Sequence, residues 1–158
     1  MAKRHPTLIP LSQDHHHGLA LAIRCRKQAL GQLNPGHTQG IKERAEEVND
    51  FFLKKLLPHF EAEEVVLFPL IGSQSSDAKR MAADLLHEHE QIRREITRLG
   101  QEPESSKTLF DLGDLLKRHI RREERELFPL FEQLVPPAKA KQAKIKIERI
   151  LDIRKHSL

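Results

Sequence analysis

A twelve-residue segment that occurs twice constrains this chain more than any other feature of its sequence. The segment HFEAEEVVLFPL at 59–70 returns as HIRREERELFPL at 119–130, with the histidine, two adjacent glutamates and the LFPL tail in register. In each copy a histidine and a glutamate stand four residues apart, His59 with Glu63 and His119 with Glu123. On a helix this spacing places the imidazole and the carboxylate on one face. Two such faces could hold metal ions between them.

The composition is that of one soluble domain. The chain has 158 residues, of which 38% are hydrophobic and 32% are charged, which is enough apolar material for a single core. No apolar stretch has the length of a membrane span or a leader segment, so we expect a cytoplasmic protein without a membrane partner. The single cysteine, Cys25, cannot form an internal disulfide, and we interpret it as a core residue.

The distribution of charge gives little indication of nucleic-acid binding. The net charge is +4 and the pI is near 9.3, but basic and acidic residues are mixed through most of the chain. Lysines are dense only in 138–156, which we predict to be an amphipathic helix with a solvated basic face. The residues predicted to pack inward are Ile145, Ile150, Leu151 and Ile153. Because no aromatic residue accompanies this charge, we expect no nucleic-acid partner.

Apolar residues recur at helical spacing and no stretch alternates like a strand, so we predict an all-α protein. The first helix should begin near Ser12 or Asp14 and end before the NPG at 34–36. Its predicted buried stripe consists of Leu19, Ile23 and Leu30. The second helix should start after Gly40 and run towards Leu67, with a kink or break at Pro58.

A loop at 72–77 should separate the second helix from the third. The predicted inward stripe of the third helix consists of Met81, Leu85, Leu86, His89, Ile92, Ile96 and Leu99. The fourth helix should begin around Ser105 or Ser106 and reach Phe131, and the Phe-Pro steps at Pro69 and Pro129 should bend or begin to end their helices. Short loops between four long helices predict an up-down-up-down four-helix bundle over 1–135. Pro136 and Pro137 should divide this bundle from a short C-terminal helical extension at 136–158.

The first and third helices add an acid followed by a histidine, Asp14-His15 and Glu88-His89, so the bundle is two helical hairpins with comparable side chains. In an antiparallel bundle these groups can reach one level of the core. The candidate metal ligands are then His15, His59, Glu63, His89, His119 and Glu123. Imidazole nitrogen and carboxylate oxygen suit iron, manganese or zinc, and a glutamate can bridge two ions. Six clustered donors disfavour a single closed structural zinc, so we expect two iron ions, for which manganese or zinc could substitute.

A single His-x-x-x-Glu pair would carry no weight, because an exposed pair merely stabilises a helix. The duplicated context and the further histidines favour metal ligation over that interpretation. On the first helix His16 is kept as an alternative to His15, because consecutive residues point about 100° apart. His87 is expected to face solvent or to support a ligand. Glu64 and Glu124 are either surface acids or groups that orient a ligating histidine.

Four motifs together, LSQDHHHGL, HFEAEEVVLFP, LLHEHEQI and HIRREERELFP, resemble the hemerythrin-like family, also called the HHE cation-binding domain. The resemblance spans about Leu11 to Phe131. It implies a four-helix bundle with a non-haem di-iron centre, in which four imidazoles and two bridging carboxylates hold the metals. Position by position, the imidazoles are those of His15, His59, His89 and His119, and the bridges are Glu63 and Glu123.

The chain departs from the oxygen-carrying hemerythrins on the third and fourth helices. Those proteins place two histidines four apart on the third helix, whereas here Leu85 and Arg93 flank His89 at that spacing. They also use a histidine followed five residues later by aspartate on the fourth helix, whereas Glu123 is four residues after His119. The missing histidine leaves an open metal position or a substitute ligand, which disfavours a pure reversible oxygen carrier.

Two classes of function follow from the resemblance. The first is a protein that binds or senses oxygen, nitric oxide or iron at the dinuclear centre without turnover, with a small diatomic molecule as its partner. The second is a small di-iron oxidase, peroxidase or nitric oxide reductase in stress defence or iron-centre repair. The chain contains no Tyr and no Trp, which removes the easiest electron-relay residues from the enzyme. A metal-free bundle that acts as an interaction module is the third interpretation.

Overall fold

The computed structural model describes residues 4–31 and 40–157, with side chains up to residue 152. Within these ranges every regular element is helical: α1 Ile9–Ala29, α2 41–72, α3 Ser76–Gln101, α4 106–134 and α5 Pro137–Ser157. Helices α1 to α4 form the predicted up-down-up-down bundle, and α5 packs across the middle of α2. No helix in the described part of the chain combines the length and apolarity needed to cross a membrane.

Helix α1 begins earlier than predicted and buries a different face. It starts at Ile9, where Pro10 fits the first turn because its missing N–H has no helical partner there. The predicted stripe is wrong, since Leu30 is 57% exposed and Leu19 and Ile23 are only half-buried. The buried residues are instead Leu11, His15, Gly18, Leu21, Ala22 and Cys25. Burial raises the pKa of the Cys25 thiol to about 12, as expected for an inert core cysteine.

Two glycines allow α1 to pack closely along α4. A Cβ on Gly18 would lie 3.0 Å from Cδ1 of Ile120, and a Cβ on Gly113 would lie 2.8 Å from the carbonyl oxygen of Ala22. The helix backbones can approach this closely only because neither position has a side chain. This contact determines which face of α1 is buried, and that face includes His15.

Helices α2 and α4 contain internal prolines and continue past each of them. Each follows a five-residue π-helical turn: Phe52–Leu56 before Pro58, Glu63–Leu67 before Pro69, and Glu123–Leu127 before Pro129. A π turn moves aside the carbonyl with which the proline ring would collide, so the helix continues without the missing hydrogen bond. Of the kink or break predicted at Pro58, the break does not occur, because the helix continues through Pro58 after the π turn at Phe52–Leu56. Helices α2 and α4 also continue beyond Pro69 and Pro129.

The ends of α3 and α4 are fixed by serine caps. Ser75 Oγ accepts from the N–H of Ala78 at 3.0 Å, and Ser105 Oγ accepts from the N–H of Thr108 at 3.2 Å. The loop before α3 is thus shorter than predicted. The inward stripe of α3 is correct at Leu85, His89, Ile92, Ile96 and Leu99, but Leu86 is 38% exposed.

Helix α5 buries a different face from the predicted one, with two alanines and one isoleucine in the core. Ile145 is 50% exposed, whereas Ala140, Ala143 and Ile147 are buried in the core. Ile150 and Leu151 pack partly against the same cluster, and the predicted inward side chain of Ile153 lies outside the described side chains. Small residues allow α5 to lie close to α2.

The apolar core consists of two clusters separated along the bundle by a buried polar layer. One cluster includes Leu11, Leu85 and Phe128, and the other includes Leu21 and Ile92. Between them along each of the four bundle helices lie the candidate ligands. All six are buried: His15, His59, Glu63, His89, His119 and Glu123.

Candidate metal centre

The structure brings the six candidate ligands together in two overlapping groups. One group contains His15 and His59, the other contains His89 and His119, and each also contains both Glu63 and Glu123. Within each group one ligand atom from every residue lies within 4.8 Å of the others. Two imidazoles and two shared carboxylates are thus available to each of two adjacent ions.

The two shared glutamates lie in π turns, which direct their side chains into the buried polar layer. Glu63 and Glu123 are the first residues of their π turns, and their carbonyls accept from the N–H of Phe68 and Phe128 five residues later. Because a π turn adds a residue to the helical turn, it re-aims the side chains that follow it. Sequence reasoning missed this feature, although a proline six residues after each glutamate was its visible signal.

The inner atoms of this layer lack hydrogen-bond partners. All four carboxylate oxygens of Glu63 and Glu123, and Nε2 of His15, His89 and His119, are buried without one. His15 Nε2 lies 2.8 Å from Glu123 Oε1 and His89 Nε2 lies 3.0 Å from Glu63 Oε1, yet neither contact is a hydrogen bond. Buried polar atoms without partners are costly, and these converge on a common space. Shared cations would satisfy them, so the donor set fits a pair of metal ions.

Each candidate histidine has a carboxylate from a neighbouring helix at its other ring nitrogen. The four pairs, which we call corners, are His15–Glu124 at 2.6 Å, His59–Asp14 at 3.1 Å, His89–Glu64 at 2.7 Å and His119–Glu88 at 2.7 Å, all measured from Nδ1. Because the carboxylate accepts the Nδ1 hydrogen, Nε2 of each ring is left to face the layer. The corners form a closed circle in which each helix supplies an acid to the next.

Electrostatics in the metal-free layer raise the pKa values of three of the imidazoles, those of His15, His59 and His119. Burial lowers the pKa of His119, but the carboxylates of Glu123, Glu88 and Glu63 outweigh it and raise that pKa to about 10. The pKa of His59 is raised well above its ordinary value for the same reasons. Burial by itself would raise the pKa of the Glu123 carboxyl. The surrounding histidines have the larger effect and hold this pKa well below its usual range. An incoming cation would therefore displace protons from imidazoles beside ionised carboxylates.

The pKa values of the three outer glutamates are lowered. Burial raises the pKa values of Glu64 and Glu124, but contacts with His89 and His15 respectively, and with nearby cationic groups, bring both below the ordinary value. The pKa of Glu88 is lowered in the same way by His119 and Arg122. Glu64 and Glu124 thus orient histidines, one of the two roles predicted for them. The matching roles of Asp14 and Glu88 were missed, although each directly precedes a candidate histidine.

The remaining histidines that were considered lie outside the layer. His16 is exposed, because the helix turns about 100° per residue and His15 takes the inward direction. His87 is exposed, with its Nδ1 3.9 Å from a carboxylate oxygen of Glu90. Leu85, one of the two positions four residues from His89 at which a further histidine was sought, is fully buried in the apolar core. It therefore offers no donor atom to the site.

The aromatic residues near the layer pack on its rings. Phe60 stacks on His89 with ring centroids 3.7 Å apart, and Phe128 stacks on His15 at 5.2 Å. Phe68, the repeat partner of Phe128, is tilted against His89 at 5.3 Å. These rings restrict imidazole rotation and exclude water from the layer.

The model of the Hemerythrin HHE cation binding domain family matches residues 7–131 of this chain. The match covers the four bundle helices and all six candidate ligands. No curated protein and no solved structure matches the chain. The family and the buried histidine and glutamate groups together support metal binding.

Proposed function

Because the chain belongs to the hemerythrin HHE cation-binding family, we propose that it is a non-haem di-iron protein that binds or senses oxygen, nitric oxide or iron. The observation that carries this proposal is the sharing of Glu63 and Glu123 by two groups of histidines. A carboxylate that belongs to both groups can give one oxygen to each of two ions. The six proposed ligands are His15, His59, Glu63, His89, His119 and Glu123.

The count of donors favours ions that keep open positions. Two imidazoles and two shared carboxylates give each ion four protein ligands if each glutamate bridges. Iron commonly takes more than four ligands, so both ions could accept a small molecule. A bound iron pair would supply two adjacent one-electron centres for such a molecule. The protein holds the imidazoles by their outer carboxylates and keeps the layer buried.

A cleft between α3 and α4 reaches the outer side of one proposed ligand. The cleft has a volume of about 440 Å³, and its lining includes Glu88, His119 and Arg118. Since His119 is itself a proposed ligand, a small molecule in this cleft would lie beside the metal layer. The polar lining suits water and small polar species better than an extended apolar substrate.

The test of the shared carboxylates is the metal content of variants. We expect about two irons per chain in protein purified without chelators, and loss of both in Glu63→Ala, because that change removes a bridge common to both ions. The helical content of the variant should stay close to that of the parent protein. Glu46→Ala, at an exposed position of the same helix, is the matched control and should keep both metals. Unchanged iron content in Glu63→Ala would show that the ligand assignment is wrong.

Reaction of the ferrous protein with oxygen separates binding from turnover. A slow and reversible optical change in stopped-flow spectra supports a binding or sensing role. Rapid irreversible oxidation, with product accumulating in the presence of a reductant, would instead support the oxidase, peroxidase or nitric oxide reductase alternative. A protein that takes up no metal under any of these conditions would leave the interaction module as the surviving interpretation.

A further inference from the structure

An arginine reaches the His89–Glu64 corner by two routes. Arg93 Nη2 lies 2.9 Å from Glu64 Oε2, the same oxygen that accepts from His89 Nδ1 at 2.7 Å. The Arg93 guanidinium also lies over the ring of Phe60, 5.3 Å from its centroid, and Phe60 stacks on His89. One cation thus contacts both groups that fix the orientation of this imidazole.

A second arginine makes the same two contacts at the His15–Glu124 corner. Arg4 Nη2 lies 3.2 Å from Glu124 Oε1, and the other carboxylate oxygen accepts from His15 Nδ1 at 2.6 Å. The Arg4 guanidinium lies over the ring of Phe128 at 5.5 Å, and Phe128 stacks on His15. Arg4 is held in place by Glu132, whose Oε1 is 3.1 Å from Nη1.

The two arginines come from unrelated parts of the chain. Arg93 lies one turn after its histidine on α3, whereas Arg4 lies in the segment that precedes α1. The histidine and the glutamate of one corner correspond to those of the other in the internal repeat. The two arginines do not correspond to each other. At both corners an arginine contacts the outer carboxylate and the stacked ring, although the two arginines come from different parts of the sequence. The internal repeat therefore does not explain why both corners have an arginine.

We propose that Arg4 and Arg93 are positioning residues for the metal centre, each fixing one imidazole through its outer carboxylate and its stacked ring. This inference rests on the proposed metal-binding function. His15 belongs to one metal group and His89 to the other, so each arginine acts chiefly on one ion. Loss of the carboxylate that orients a ligating histidine weakens metal binding by about 10- to 100-fold, and we expect loss of the arginine behind that carboxylate to lie at the lower end of this range.

A Co²⁺ titration followed by its visible absorption bands tests this directly. We expect the parent protein to take up two equivalents, and Arg93→Gln to bind one as before and the other about tenfold more weakly. Arg4→Gln should weaken the other equivalent, and the double variant should weaken both. Arg93→Lys, which restores the charge but not the flat stacking group, should give an intermediate affinity. Arg98→Gln removes an arginine that pairs with Glu95 on the same helix and should titrate like the parent.

The outcomes separate this inference from the function on which it rests. Two normal equivalents in Arg93→Gln and Arg4→Gln would overturn the positioning role and leave the metal centre intact. Equal weakening of both equivalents in Arg93→Gln, together with earlier melting of its metal-free form, would show an effect on the fold and also overturn it. A parent protein that binds no Co²⁺ would overturn the proposed function itself.

Discussion

At the scale of single residues, the buried polar layer lowers the stability of the fold while it holds the proposed ligands in place. Glu63 and Glu123 are fully buried, and their carboxylate oxygens have no hydrogen-bond partners in the described structure. Such groups destabilise a fold unless something compensates them. In the metal-free state the compensation is the positive charge of the neighbouring imidazoles. Bound cations would replace that charge, so metal binding should also stabilise the fold.

The raised pKa of His119 predicts how the metal-free protein responds to pH. Because the folded-state pKa is about 10 and the ordinary value is about 6.5, the folded state binds its proton more tightly. This contribution to stability is fully present below about pH 6.5 and is lost as pH rises towards 10. The melting temperature of chelator-treated protein should therefore fall over this range. The raised pKa values of His15 and His59 act in the same direction.

Two variants provide the comparison for this pH dependence. His119→Asn should flatten the decline between pH 6.5 and 10, since one of the titrating groups is removed. His87→Asn changes an exposed histidine and should retain the slope of the parent. A melting temperature that is constant or rises over this range would contradict the electrostatic account of the layer.

The sequence predicted the residues that the structure brings together in the inner layer better than it predicted their outer partners. The spacing of His59 with Glu63, repeated in the second copy, places both groups on one face without any knowledge of tertiary structure. The outer pairs could not be found in this way, because every corner joins two different helices. The pattern favoured His15 but kept His16 as an alternative, since the choice depends on how α1 packs against α4.

At the scale of elements, the close contact of α1 with α4 predicts unequal effects of adding a methyl group to two glycines. Gly113→Ala should destabilise the protein by about 1–3 kcal/mol, because the new Cβ would lie 2.8 Å from the Ala22 carbonyl oxygen. Gly100→Ala is the matched control, since nothing lies within 4 Å of its Cβ position. It should be neutral or stabilising by up to about 1 kcal/mol through helix propensity.

Chemical denaturation of the metal-free proteins measures both changes. The comparison keeps the substitution and the helical setting constant and varies only the space available. If Gly113→Ala were as stable as Gly100→Ala, α1 would have to sit farther from α4 than the structure shows. A wider spacing would also move His15 away from Glu123.

Helical periodicity predicted the number and order of the elements but not their internal irregularities. Periodicity reports which residues are apolar, and the four bundle helices were confirmed on that basis. The π turns depend on a local balance between a missing proline hydrogen bond and continued packing, which periodicity does not report. For the same reason the sequence predicted a kink or a break at Pro58 without deciding between them, whereas packing on both sides keeps α2 continuous.

At the scale of the whole molecule, α5 is joined to the bundle through a shared core. Ile147 is fully buried in the same cluster as Leu8, Phe128 and Phe131. Thr7 Oγ1 donates to the carbonyl of Ala140 at 2.8 Å, which links the segment before α1 to α5. We therefore propose that the division predicted at 136 separates two elements by sequence, while both contribute to one folding unit.

Two isoleucines on α5 test this proposal. Ile147→Ala should lower the free energy of unfolding by about 2–5 kcal/mol, because it removes a fully buried side chain. Ile145→Ala, two residues earlier and 50% exposed, should change it by less than about 0.5 kcal/mol. Denaturant unfolding should show one cooperative transition for the parent chain and for both variants. Similar small effects of the two changes would indicate that α5 is only loosely attached.

The closed circle of corners has a consequence for the origin of the molecule. Exchanging α1 with α3 and α2 with α4 maps His15–Glu124 onto His89–Glu64, and the other two corners map onto each other in the same way. A half-length polypeptide that self-associated as a symmetric dimer would already have contained all four of these pairings. If two such halves were joined into one chain, each half could diverge separately, and the unlike positions of Arg4 and Arg93 agree with such independence.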